Sequence, residues 1–188
     1  MNPTLVAINP EEHNVEINLV YASPDNISGR AIYKRPLCLL HRDAEMALRK
    51  AVTNAGNMGY KIKIFDAFRP QEAQEMLWES LSDSSYIADP QQGSNHTRGT
   101  ALDITLVDSE GRDLDMGTSF DDMSPLSHHF SDQVPPKAQA NRLLLLNIME
   151  EAGFEHIAHE WWHYALPENE AHALIQSGQL AELNPMHQ

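Results

Sequence analysis

At 188 residues, 41% of them hydrophobic, the chain can bury one sizeable core but is short for two, so a single domain over 1–188 is expected. Its formal net charge of -14 argues against a nucleic-acid or anionic-membrane binder and leaves a small cationic or zwitterionic partner open. One cysteine, Cys38, excludes an internal disulfide and a thiolate-rich zinc site, whereas ten histidines turn any metal hypothesis toward nitrogen and oxygen donors.

The N-terminal stretch MNPTLVAINPEEHNVEINLVYAS lacks the basic and apolar regions of a secretory signal, and no run nears the roughly 18–20 apolar residues of a membrane span. A soluble, cytoplasmic protein is expected. In HRDAEMALRKAVTNAG, Ala44, Ala47, Leu48, Ala51, Val52 and Ala55 recur at helical spacing, with Asp43 favouring the start and Gly56 or Gly59 available to stop it. YKIKIFDAF follows, with Ile62 and Ile64 alternating with lysines as in a strand that delivers Asp66 to Arg69. RPQEAQEMLWESL then places proline where a first helical turn tolerates it. SDSSYIADPQQGSN is polar and without period, and it leads into TALDITLVD, where Leu102, Ile104 and Leu106 form one core face and Asp103 lies on the other. DSEGR predicts a hairpin turn, TSFDDMSPLSHHFSDQVPP a long irregular loop, and Pro136 to Ala152 a helix ended by Gly153. Short strands alternating with helices, without regular βαβ spacing, predict an α+β fold.

The stretch FEHIAHEWWHYALP admits two metal readings. His159-Glu160-Trp161-Trp162-His163 matches H-E-x-x-H, in which two histidines one helical turn apart bind zinc and the glutamate acts as base. Its flanks oppose a helix, because Gly153 and Pro167 bracket the segment and its aromatic and β-branched residues favour a pleated surface. The rival reading makes WWHYAL a strand, and His163 then needs ligands from elsewhere. SNHTRGTALDIT offers them in His96 and Asp103, with Gly99 permitting a close turn between. Two histidines and one carboxylate would leave an open fourth position, as hydrolytic zinc requires. Strand alternation would put Glu160 and His163 on opposite faces, so this reading demands a bulge or irregular turn. Taken singly, Asp103 also reads as a strand-end hydrogen bonder, His96 as a loop histidine and His163 as a core histidine.

Read together, SNHTRGTALDITL and EWWHY resemble the paired signatures S-x-H-x-x-G-x-A-x-D and E-x-W-H of the D-alanyl-D-alanine dipeptidases of the VanX type. VYASPDNISGRAIY, DAFRP, MG before FDDM, SHH and NRLLLLNIMEEAGF resemble that family's other blocks in the same order, from about residue 15 to 167. The resemblance implies a compact α+β domain with a mostly antiparallel central sheet flanked by helices, related to D-Ala-D-Ala carboxypeptidases and the hedgehog signalling domain. It further implies one Zn2+ per chain held by His96, Asp103 and His163, Glu160 as catalytic base, and Arg69 stabilising the transition state. Tyr21, Ser94 and Asp121 match positions near the substrate, with Asp121 facing an ammonium and Ser94 helping to hold a carboxylate. His159 has no ligand role there. The implied activity is hydrolysis of D-alanyl-D-alanine and close D,D-dipeptides, a small zwitterionic substrate. Alternatives are a peptidoglycan D,D- or L,D-peptidase acting on longer peptides and a zinc-stabilised binding module without turnover. The tail beyond Pro167 is matched by none of these blocks.

Overall fold

The computed structural model describes residues 5–80, 88–168 and 171–187. A five-stranded sheet forms its centre, built from β2 (Glu16–Ile17), β4 (Lys61–Asp66), β5 (Ala101–Val107), β6 (Glu155–Ile157) and β7 (Glu160–Ala165) in the order β2-β4-β5-β7-β6. Only the β2–β4 pair is parallel; the other three are antiparallel, so the α+β expectation holds. A separate two-stranded ribbon pairs β1 (Leu5–Ala7) with β3 (Leu39–His41), and a single helical turn, α1 (Pro10–His13), lies between β1 and β2.

Three longer helices, α2 (Arg42–Asn57), α3 (Gln71–Ser80) and α4 (Pro136–Ala152), fall where helical spacing predicts them. The alanines of α2 are its buried stripe, and their small side chains let it approach both the sheet and α4 closely. Gly153 closes α4 with a left-handed φ of 105°. On the helix-covered face, Ile62 and Ile64 of β4 stand opposite Leu106 and Ile104 of β5, and Leu102 stands opposite Tyr164 of β7. Together with Leu48, Leu145, Ile148 and Met149 they form one continuous core. Each fully buried Leu or Ile side chain there contributes about 1.5–3 kcal/mol relative to exposure.

The sequence predicts one core face for β5, yet all seven of its residues are buried. β5 is the middle strand, and its second face is covered as well, by the segments that surround Asp103. The long loop after β5 is irregular as expected, with one short 3-10 turn at Pro125–Ser127. Arg142 of α4, fully buried, holds this loop: Nε donates to Met116 O at 2.6 Å, and Nη1 donates to Leu126 O at 2.9 Å and His128 O at 2.8 Å. The non-periodic stretch 82–95 is described from Ala88 onward; residues 82–87 lie outside the described residues. Among the described residues, no helix is long and apolar enough to cross a membrane.

Candidate active site

Antiparallel pairing of β5 with β7 sets Asp103 directly opposite His163. His163 Nδ1 lies 3.0 Å from Asp103 Oδ1. His96 arrives from the loop before β5, its Nε2 3.3 Å from Asp103 Oδ2 and 3.2 Å from His163 Nδ1. All three residues are buried, including His96, which its loop position alone would leave exposed. His96 Nδ1 donates to Ala67 O at 2.7 Å, which turns Nε2 toward the other two donors. Around a tetrahedral zinc ion with bonds near 2.0–2.1 Å, neighbouring donor atoms stand about 3.3 Å apart. Two imidazole nitrogens and a carboxylate oxygen at these separations fit that ion in both chemistry and spacing. Despite its burial, the Asp103 carboxyl is held well below the usual carboxylate range by the His96 and His163 rings, so it stays ionised.

Gly99 makes the loop possible. Its φ of +72° disfavours any side chain, and a Cβ there would come within 2.8 Å of Leu5 Cδ2 and 3.0 Å of the His41 backbone nitrogen. The loop therefore turns tightly enough to bring His96 back over β5.

Glu160 opens β7 and shares a cavity of about 410 Å3 with the three donors. Its Oε2 stands 4.0 Å from His163 Nδ1. The demanded irregularity is present: His156 pairs with Tyr164 but Ile157 pairs with Glu160, so Trp161, Trp162 and His163 have no counterparts on β6. That bulge brings Glu160 and His163 to one cavity. Burial pushes the Glu160 carboxyl up to about 7, against the pull of His163.

Arg69 lies at the end of the segment between β4 and α3, buried rather than on the surface. Nε donates to Asp66 Oδ2 at 2.8 Å, Nη1 to Gln74 Oε1 at 3.0 Å and Nη2 to Asp103 Oδ2 at 3.4 Å. A second bulge, at Phe65, sets Asp66 opposite Asp103 across β4 and β5. Asp66 in turn accepts from Tyr33 OH at 2.7 Å, and Gln74 Nε2 donates to Ala88 O at 2.7 Å. No sequence signal gives Tyr33, Asp66 or Gln74 a role. Tyr33, at the end of VYASPDNISGRAIY, and Asp66, within DAFRP, both lie in blocks marked by resemblance, whereas Gln74 lies in none.

Tyr21 lies beneath the Arg69 guanidinium, 5.0 Å from ring centre to Cζ. Its hydroxyl donates to Asp121, 3.1 and 3.0 Å from the two carboxylate oxygens. Burial, then the charge of Asp103, pushes the Asp121 carboxyl up to about 8. Ser94 is buried at the cavity wall, its Oγ accepting from the His96 amide at 3.2 Å. All eight candidate residues therefore line or touch one cavity. His159 stands at its edge, half exposed and outside the donor cluster. Ala158 and His159 form the turn between β6 and β7, so H-E-x-x-H here has no helix to align its two histidines.

The chain matches the peptidase M15 family, described as D-ala-D-ala dipeptidase, over residues 2–179. It is 50% identical over 162 residues to a D-alanyl-D-alanine dipeptidase of Escherichia coli (strain K12), covering 86% of this chain and 84% of that protein. A D-alanyl-D-alanine dipeptidase of Enterococcus faecalis is 30% identical over 175 residues, covering 82% of this chain and 87% of the relative. One of Streptomyces coelicolor is 31% identical over 172 residues, covering 79% and 84%.

Proposed function

This chain belongs to the D-alanyl-D-alanine dipeptidase family of M15 peptidases, and from that membership we propose that it is a cytoplasmic, zinc-dependent dipeptidase hydrolysing D-alanyl-D-alanine and close D,D-dipeptides to free amino acids. One observation carries the reading: the buried His96, Asp103 and His163 donors converge in a single cavity with the Glu160 carboxyl and the Arg69 guanidinium.

A Zn2+ ion in the cavity, held by His96, Asp103 and His163, would supply Lewis acidity, lowering the pKa of a water toward neutrality and polarising the scissile carbonyl. Glu160 accepts a proton as water attacks the peptide carbon and returns it to the leaving amine. A carboxyl held near 7 exchanges a proton in both directions at neutral pH. Arg69 is fixed by Asp66, Gln74 and Asp103 before substrate arrives, so its charge meets the developing oxyanion without reorganisation. Asp121, with Tyr21, receives the substrate ammonium, and Ser94 helps hold the carboxylate. Pairing both termini inside one cavity selects dipeptides, because lengthening either end buries a polar group without its counter-charge.

The test is hydrolysis of D-alanyl-D-alanine by the zinc-loaded and the chelated protein, beside its N-acetylated form. Glu160→Gln should lower kcat by about 100- to 10,000-fold with zinc content retained, and the N-acetylated dipeptide should resist cleavage. Unchanged turnover in Glu160→Gln removes the proton shuttle. Cleavage of blocked or longer peptides points instead to a peptidoglycan D,D- or L,D-peptidase, and zinc binding without any turnover to a binding module.

A further inference from the structure

Outside the cavity, one other group of described residues brings three metal-type donors within 4.8 Å of one another: His41, Asp43 and His172. His41 ends β3 and caps α2, Asp43 lies in the first turn of α2, and His172 comes from the segment after Pro167. His172 Nε2 is 3.1 Å from Asp43 Oδ2, and His41 Nδ1 is 3.4 Å from the same oxygen. The two imidazoles meet edge to face, with centroids 4.6 Å apart. Both rings are largely buried, while the Asp43 side chain is 58% exposed.

We propose that His41, Asp43 and His172 form a second divalent transition-metal site, which clips the C-terminal segment to the start of α2. The two nitrogen-to-carboxylate separations, 3.1 and 3.4 Å, lie close to the 3.0 and 3.3 Å of the cavity trio. The donor set is the same, two imidazole nitrogens and one carboxylate oxygen, which suits zinc and its neighbours better than a hard cation. An ordinary His172–Asp43 hydrogen bond accounts for one ring. Among the described residues, the hydrogen bond of the second ring is a long cap contact, in which the Asp43 amide donates to His41 Nδ1 at 3.2 Å. That contact leaves Nδ1 unprotonated, and an ion would take its lone pair in exchange for the Asp43 amide. The positive end of α2 opposes a cation, and Asp43 and Glu45 in the first turn offset it. The exposed side of Asp43 leaves room for water to complete the coordination.

The site's position gives it a task. His172 O accepts from Arg98 Nη1 at 2.5 Å, and the His41 amide donates to Gly99 O at 2.8 Å. Ile175 N donates to Thr97 O at 3.1 Å. The two histidines thus bracket the loop that carries His96, and an ion joining them fastens the C-terminal segment around that loop.

Equilibrium dialysis against Zn2+ with elemental analysis tests the proposal. The wild type should hold about two zinc ions per chain, His172→Ala and Asp43→Asn about one each, His163→Ala about one, and His163→Ala/His172→Ala none. In the His163→Ala background, zinc should raise the unfolding temperature, and adding Asp43→Asn should abolish that rise. Asp43→Asn preserves side-chain size, so it keeps the test open if His172→Ala folds poorly. Saturation of the wild type at about one ion, lost in His163→Ala, overturns this site and leaves the cavity site standing. A second ion retained in both His172→Ala and Asp43→Asn also overturns it.

Discussion

Arg69 brings a fixed positive charge into a region that also holds Asp66, Asp103, Asp121 and Glu160. A lysine would keep the charge but cannot reach Asp66, Gln74 and Asp103 at once from a single ammonium. Arg69→Lys should therefore lower kcat for dipeptide hydrolysis by about 100-fold or more, as loss of a preorganised oxyanion partner does, with zinc content unchanged. Asp121 makes a different prediction. With its carboxyl pushed up to about 8, it is mostly protonated in the free protein at pH 7, and an arriving ammonium favours the ionised form. Binding of a dipeptide at pH 7 should release about one proton, measured by calorimetry in buffers of differing ionisation enthalpy. Asp121→Asn should abolish that release and raise KM by about 30-fold or more, the scale of a broken buried charge pair.

Among the elements, those that repeat a period long enough to be read are the ones that sequence reasoning finds. α2, α3 and α4 carry several turns of apolar spacing, and β4, β5 and β7 carry six or seven residues each. β1, β2, β3 and β6 have only two or three residues, too few to display alternation. The bulges are legible only indirectly. An extra residue at Phe65 leaves no compositional mark, whereas the bulge in β7 is demanded once Glu160 and His163 are required to share a face. His96, Asp103, His163 and Glu160 stand out because they recur as a spaced set across two blocks. Gln74 and Arg142 read like ordinary exposed helix residues, since their partners are backbone carbonyls or lie on distant segments. Gly99 joins loop to strand, and its geometry is testable. Gly99→Ala must adopt a left-handed backbone and displace Leu5 or the His41 amide, which should cost about 1–3 kcal/mol in urea unfolding. Zinc affinity should fall with it, because His96 is three residues away.

For the molecule as a whole, acid sensitivity has an identifiable source away from the cavity. His129 is fully buried, its Nε2 3.0 Å from Tyr164 OH, and its ring packs on that of His156 at 5.1 Å. Burial, then the neighbouring His156, lowers its pKa to about 4. Between about pH 6.5 and 4 the unfolded chain binds a proton at this histidine that the folded chain does not. Its contribution is therefore constant above pH 6.5 and is lost as pH falls toward 4, up to about 3 kcal/mol. Urea midpoints measured across that range should fall less steeply for His129→Gln than for the wild type, the difference isolating this group from other acid effects. Arg142 has a consequence of another kind. It grips the 116–128 loop through three carbonyl oxygens and through none of that loop's side chains. An anchor that reads only main chain is indifferent to what the loop displays. Exchanging side chains such as Met123 could therefore retune which dipeptides are accepted, while the mooring stays in place.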